Sequence, residues 1–98
     1  KSILITGAAG FIGANLVMEL LRDTDAVKIV GLDSMSDYYD VSIKEYRLDE
    51  IDKIAKQKKD SQWIFVKGSI ADRSLLESLF QEHCFDLVVN LAAQAGVR

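Results

Sequence analysis

Glycines at positions 7, 10 and 13 stand between a short apolar run and a helical pattern, and this junction constrains the fold more than any other stretch. Ile3, Leu4 and Ile5 read as a strand buried on both faces of a parallel sheet. Thr6 and Gly7 break the run. Ile12, Leu16 and Leu20 then recur at helical spacing, with Val17 and Leu21 beside them. Strand, glycine turn and helix in that order bring backbone N–H groups to a helix start, where peptide dipoles sum to roughly half a positive charge. Such a place suits a phosphate. Gly7 permits a tight exit from the strand, Gly10 lets backbone approach a pyrophosphate, and Gly13 lets the helix pack close on the strand. The spacing is G-x-x-G-x-x-G, and no G-K-[ST] ending follows, so this is not a nucleoside-triphosphate P-loop. Its position between strand and helix favours a dinucleotide seat over a plain tight turn.

The rest of the chain repeats the alternation. Asp23, Thr24 and Asp25 end the first helix, and Val27–Leu32 forms a second apolar strand closed by Asp33. Asp33 lies about 20 residues past Gly13, where an acidic side chain accepts hydrogen bonds from adenosine ribose hydroxyls. A carboxylate there repels a 2′-phosphate, and no arginine occupies positions 34–40 to receive one, so the expected cofactor is NAD rather than NADP. Residues 34–40 read as a polar loop. From Val41 to about Lys58 a helix turns Leu48, Ile51 and Ala55 to one face. Its many charges, Lys44 and Arg47 among them, read as a solvated surface. Gln62–Lys67 is a third strand with Trp63 and Phe65 on one face, ended by Gly68. Asp72 or Ser74 caps a third helix whose apolar stripe is Leu75, Leu76, Leu79, Phe80 and His83. Phe85–Leu91 is a fourth strand, followed by a small-residue loop at 92–98.

A β-α-β-α-β-α-β order with right-handed crossovers predicts an α/β, Rossmann-like, doubly wound parallel sheet. Four strands in the order 3-2-1-4, with helices on both faces, make the first part of such a domain. The strand order reverses between strands one and four, so a ligand is expected at their carboxyl ends.

Charge and composition narrow the partners. A net charge of −3 advertises no basic face, so nucleic acid is not an expected partner. The apolar runs are far shorter than the ~20 residues of a membrane span. No signal peptide is expected, and the first strand leaves room for only a few residues ahead of Lys1. A single cysteine, Cys84, excludes an internal disulfide and fits a reducing, cytoplasmic setting. His83 beside Cys84 falls short of the four ligands a structural metal wants, so no metal is expected.

Thr6-Gly-Ala-Ala-Gly-Phe-Ile-Gly13, Asp33 and Asn90-Leu-Ala-Ala93 resemble the extended short-chain dehydrogenase/reductase family, whose loop is T-G-x-x-G-x-x-G. Residues 33–48 and 91–98 further resemble the UDP-glucuronate 4-epimerases. The resemblance implies a tightly held NAD that is not consumed overall. A tyrosine takes the sugar 4-hydroxyl proton while hydride leaves C4, and hydride returns to the other face of a 4-keto sugar. Carried over by position, Gly7, Gly10, Phe11, Ile12 and Gly13 would hold the pyrophosphate and Asp33 the ribose. Ser34 and Met35 would border the adenosine, with Ser69 and Ile70 by the adenine. Leu91, Ala92 and Ala93 would line the cofactor, and Arg98 would reach an anionic group of a nucleotide-sugar substrate. The sequence departs from the family pattern at Asn15, Ser34, Ser69 and Asn90. Ser69 replaces an aspartate that accepts from the adenine amino group, a weaker neutral contact.

The family's Tyr-x-x-x-Lys pair and its catalytic Ser/Thr lie beyond residue 98. Tyr38, Tyr39 and Tyr46 are followed four residues later by Ser42, Ile43 and Glu50, so none supplies the pair. A general base must reach the proton that it takes, and this chain offers no catalytic residue of that kind. It reads as the NAD-binding part of a homodimeric epimerase, inactive alone. A 4,6-dehydratase or decarboxylase built on the same half is the alternative, as is a non-catalytic NAD-binding module.

Overall fold

The computed structural model describes residues 1–35 and 41–91 of the chain. Its elements are β1 (Ser2–Thr6), α1 (Phe11–Asp23), β2 (Lys28–Asp33), α2 (Val41–Gln57), β3 (Gln62–Lys67), α3 (Arg73–Glu82) and β4 (Leu87–Asn90). All four strands are parallel and lie in the order β3-β2-β1-β4, as the alternation of patterns predicts. In register, Leu4 stands beside Val30 on one side and Val88 on the other.

Alternation along the central strands builds a core on each face of the sheet. Ile3, Ile5 and Ile29 point to one side, where Ala14, Val17 and Leu21 of α1 and Ile51 of α2 cover them. Leu4, Val30 and Leu32 point to the other, against Leu79 of α3. Each fully buried Val, Leu or Ile side chain among these contributes about 1.5–3 kcal/mol. The α1 stripe is centred differently from the sequence reading. Val17 and Leu21 are buried, whereas Ile12 is 67% exposed at the first turn, beside the glycine loop.

Trp63 and Phe65 do share a face, with ring centroids 6.3 Å apart. Gly31 makes room for the Trp63 ring, since a Cβ there would lie 2.3 Å from that ring and 2.8 Å from Ala8 Cβ. Of the two candidate caps for α3, Asp72 takes the position, and its carboxylate accepts the Leu75 N–H at 3.1 Å. Ser74 already lies inside the first turn. The fourth strand starts later than Phe85. That ring instead turns to the α3 side and meets Phe80 edge-on at 5.4 Å, while the backbone N–H of Asp86 bonds Ser2 O at 2.7 Å.

Among the described residues β4 forms an outer edge of the sheet, and Leu87 and Val88 on it are 50% and 46% exposed. An unpaired strand edge with apolar side chains invites another chain. The 98-residue chain produced alone is therefore expected to self-associate in light scattering at high concentration. A monodisperse monomer that melts cooperatively would contradict this.

Candidate functional site

The loop after β1 is shaped by backbone alone. Gly7 adopts φ 73°, a left-handed conformation that glycine takes without cost. The N–H groups of Gly7 and Ala8 both donate to Leu32 O, at 2.7 and 3.2 Å, stapling the loop to β2. Gly10 is the N-cap of α1 and offers no side-chain cap. Helical bonding starts with Ala14 N–H to Gly10 O at 2.8 Å, so the amides of Phe11, Ile12 and Gly13 are left at the helix mouth. No acidic residue stands in that first turn to compete for them. Gly13 has no space for a side chain, since a Cβ would lie 2.0 Å from Gly7 O. Helix and loop touch through backbone, as the third glycine of the motif implies.

Asp33 closes β2 beside this loop and is only 5% exposed. Its Oδ2 accepts the Ala9 N–H at 3.0 Å. Its Oδ1 accepts Met35 N–H at 2.8 Å and Lys44 Nζ at 2.9 Å. The Met35 contact is an Asx turn, and it supports Met35 at φ 58°, a conformation unusual for a side-chain-bearing residue. Strain of this kind gathers at ligand-binding sites.

Two site residues were read in the sequence as solvated helix surface. Lys44 is 12% exposed at its side chain and paired with Asp33. Arg47, one turn further along α2, donates from one guanidinium nitrogen to Ala9 O at 3.2 Å. Its guanidinium carbon sits 5.7 Å from the centroid of the Phe11 ring, a cation–π arrangement. The Ala9 residue is thus held at its N–H by Asp33 and at its C=O by Arg47. One signal in the sequence pointed to Lys44: a cation near a helix N-terminus opposes the dipole and calls for an acidic partner.

The remaining expected residues spread along the same end of the sheet. Gly68 N–H bonds Asp33 O at 3.0 Å, which sets Ser69 and Ile70 just past the ends of β2 and β3. Ser69 Oγ accepts the Ala71 N–H at 3.0 Å, and the Ile70 side chain packs on the Leu4–Leu32 core. Ser34 is exposed next to Asp33. Leu91 follows β4, where Thr6 Oγ1 both accepts its N–H at 3.1 Å and donates to Asn90 Oδ1 at 2.5 Å. Ala92, Ala93 and Arg98 lie outside the described residues, as do Tyr38 and Tyr39. A shallow hollow at the opposite end of the sheet, lined by Asp25, Gln57 and Lys58, is remote from this loop. Lys58 there is already bonded to Arg22 O at 3.2 Å. Among the described residues no helix is long and apolar enough to cross a membrane, and no three His, Cys, Asp or Glu side chains gather as metal ligands would.

Comparison with known proteins places this geometry in a family. The family profile described as GDP-mannose 4,6 dehydratase matches residues 4–98. The chain belongs to that family. Among relatives of this GDP-mannose 4,6-dehydratase-family chain, UDP-glucuronate 4-epimerase 2 of Arabidopsis thaliana is 44% identical over 97 residues, 99% of this chain and 20% of the relative. A UDP-glucuronic acid 4-epimerase of Bacillus cereus, solved with UDP-glucuronic acid and NAD, is 33% identical with a TM-score of 0.72. That comparison covers 100% of this chain and 28% of the other. A dTDP-glucose 4,6-dehydratase of Bacillus anthracis, solved with NAD, is 31% identical with the same TM-score of 0.72, over 96% of this chain and 27% of the other. The chain thus spans roughly a fifth to just over a quarter of the length of these relatives.

Proposed function

We propose that this chain is the N-terminal, NAD-binding part of a nucleotide-sugar 4-epimerase that interconverts UDP-glucuronate and UDP-galacturonate through a 4-keto intermediate. The observation that carries the cofactor is the uncapped start of α1, lying beside a buried carboxylate at the end of β2. A diphosphate fits that mouth because the cradle is backbone, with no side chain at Gly13 and no carboxylate in the turn. Gly7, Gly10, Phe11, Ile12 and Gly13 would hold the diphosphate, Asp33 the adenosine ribose, and Ser34 and Met35 the border of the adenosine. Ser69 and Ile70 would flank the adenine. Leu91, Ala92 and Ala93 would line the nicotinamide side, and Arg98 would meet the substrate's anion. Bound there, NAD supplies a group that takes up and returns a hydride.

The chain's own residues then have two tasks. They hold the diphosphate on backbone amides, and they fix the ribose by a carboxylate whose other bonds keep it still. Proton removal from the sugar falls to a base elsewhere in the intact protein, since no Tyr-x-x-x-Lys pair occurs in residues 1–98. The same reading makes the intact protein a homodimer in a reducing, cytoplasmic setting, consistent with Cys84 as an exposed free thiol.

Identity of 44% with a UDP-glucuronate 4-epimerase supports the substrate. A 4,6-dehydratase is the second reading, favoured by the equal structural likeness to the dTDP-glucose enzyme and by the family's own description. Incubating the intact protein with UDP-glucuronate separates them. UDP-galacturonate without loss of water is expected. A dehydrated product from another nucleotide-sugar, with UDP-glucuronate unchanged, would favour the dehydratase, and NAD binding with no turnover would favour a non-catalytic module.

A further inference from the structure

We propose that Lys44 is a specificity-determining residue of the cofactor site, held on Asp33 so that the pair, and not the carboxylate alone, sets the choice between NAD and NADP. The inference rests on the NAD reading above and goes beyond it. A lone carboxylate at the end of β2 would repel a 2′-phosphate outright. Here the carboxylate carries an ammonium 2.9 Å from Oδ1, with the two side chains 12% and 4% exposed. The pair is close to neutral.

Counting donors and acceptors shows what the pair can recognise. An ionised carboxylate offers about four acceptor sites, and Ala9 N–H, Met35 N–H and Lys44 fill three of them. Roughly one remains for the ribose. An ammonium has three donors, and one of Lys44's is spent on Asp33. A cis-diol then meets one acceptor, on Asp33, and further donors, on Lys44. A 2′-phosphate has no proton for Asp33 but can take the donors of Lys44. Asp33 therefore rejects the phosphate and Lys44 admits it, and the two substitutions should move selectivity in opposite directions.

The test measures NAD and NADP affinities of the intact protein by calorimetry. Lys44→Met should weaken NADP by about tenfold more than NAD, widening the preference for NAD. Asp33→Asn should improve NADP relative to NAD by about tenfold, and that gain should vanish in the Asp33→Asn/Lys44→Met double variant. Equal losses of both cofactors in Lys44→Met, or a gain in Asp33→Asn that survives without Lys44, would overturn the proposal. Should the Asp33 variants fail to fold, two readings still decide it. One is the ratio in Lys44→Met. The other is competition in the unaltered protein, where adenosine 2′,5′-bisphosphate should lie within about tenfold of 5′-AMP. A gap of about a hundredfold would mean that Lys44 does not offset Asp33. Absence of any NAD binding by the unaltered protein would overturn the cofactor reading and this inference together. NAD binding with unaltered ratios would overturn this inference alone.

Discussion

Gly13→Ala is expected to raise the dissociation constant for NAD at least about a hundredfold, a loss of about 2.7 kcal/mol, and to destabilise the fold by about 3 kcal/mol. The added methyl would sit 2.0 Å from Gly7 O, 2.8 Å from Gly7 C and 3.1 Å from Ala8 Cα. Every one of those neighbours is backbone, so no side chain can swing away. The loop cannot simply lift, because Gly7 and Ala8 are bonded to Leu32 O, and Leu32 is fixed by pairing with Thr6. Relief has to come from parting α1 from the loop. That move displaces the amides of residues 11–13 from a diphosphate, and hydrogen bonds to a charged group are worth about 1.5–3 kcal/mol each. Gly10→Ala is the control, since its Cβ would stand 3.3 Å from the same oxygen, a contact that a shift of a few tenths of an ångström relieves. Its effect should stay under about 1 kcal/mol. Calorimetric titration and urea unfolding measure both quantities. Near-normal NAD affinity in Gly13→Ala would mean that the loop does not carry the ligand.

Asp33→Ala should cost about 3 kcal/mol of stability before any cofactor is added. The substitution strands three donors at once: the N–H of Ala9, which is fully buried, the N–H of Met35, and the ammonium of Lys44. It also removes the bond that supports Met35 at positive φ. Much of the loss arises from the orphaned cation, so adding Lys44→Met should return at least about 1 kcal/mol. Urea midpoints of the two single variants and the double variant give the coupling. Strict additivity would mean that the 2.9 Å contact has no energetic weight.

What could be read in the sequence divides along a physical line. The sheet order follows from alternating periods, because continuous apolar runs such as Ile3–Ile5 bury on both faces and amphipathic stretches such as residues 41–57 cover one. The glycine loop and Asp33 were legible because their relation is set by short, fixed spacing along the chain. Lys44 and Arg47 were not. Apart from the place of Lys44 near a helix start, they read as part of the same charged surface as Glu45, Asp49 and Glu50, and the packing of α2 beside α1 decides which charges reach the loop and which meet water. The start of β4 was misjudged for a related reason. Phe85 has the composition of a strand residue, but its ring packs edge-on against Phe80 in the α3-side core, and the ladder with β1 begins at Leu87. Ile12 shows the same effect in reverse, fitting a helical stripe by spacing yet standing outside the core at the helix mouth.

A crystal structure of the intact protein grown with NAD tests the account most directly. Diphosphate oxygens within about 2.7–3.2 Å of the N–H groups of residues 11–13, with a ribose hydroxyl bonded to Asp33, are what it predicts. A dinucleotide seated elsewhere, or one whose diphosphate touches none of those amides, would contradict it.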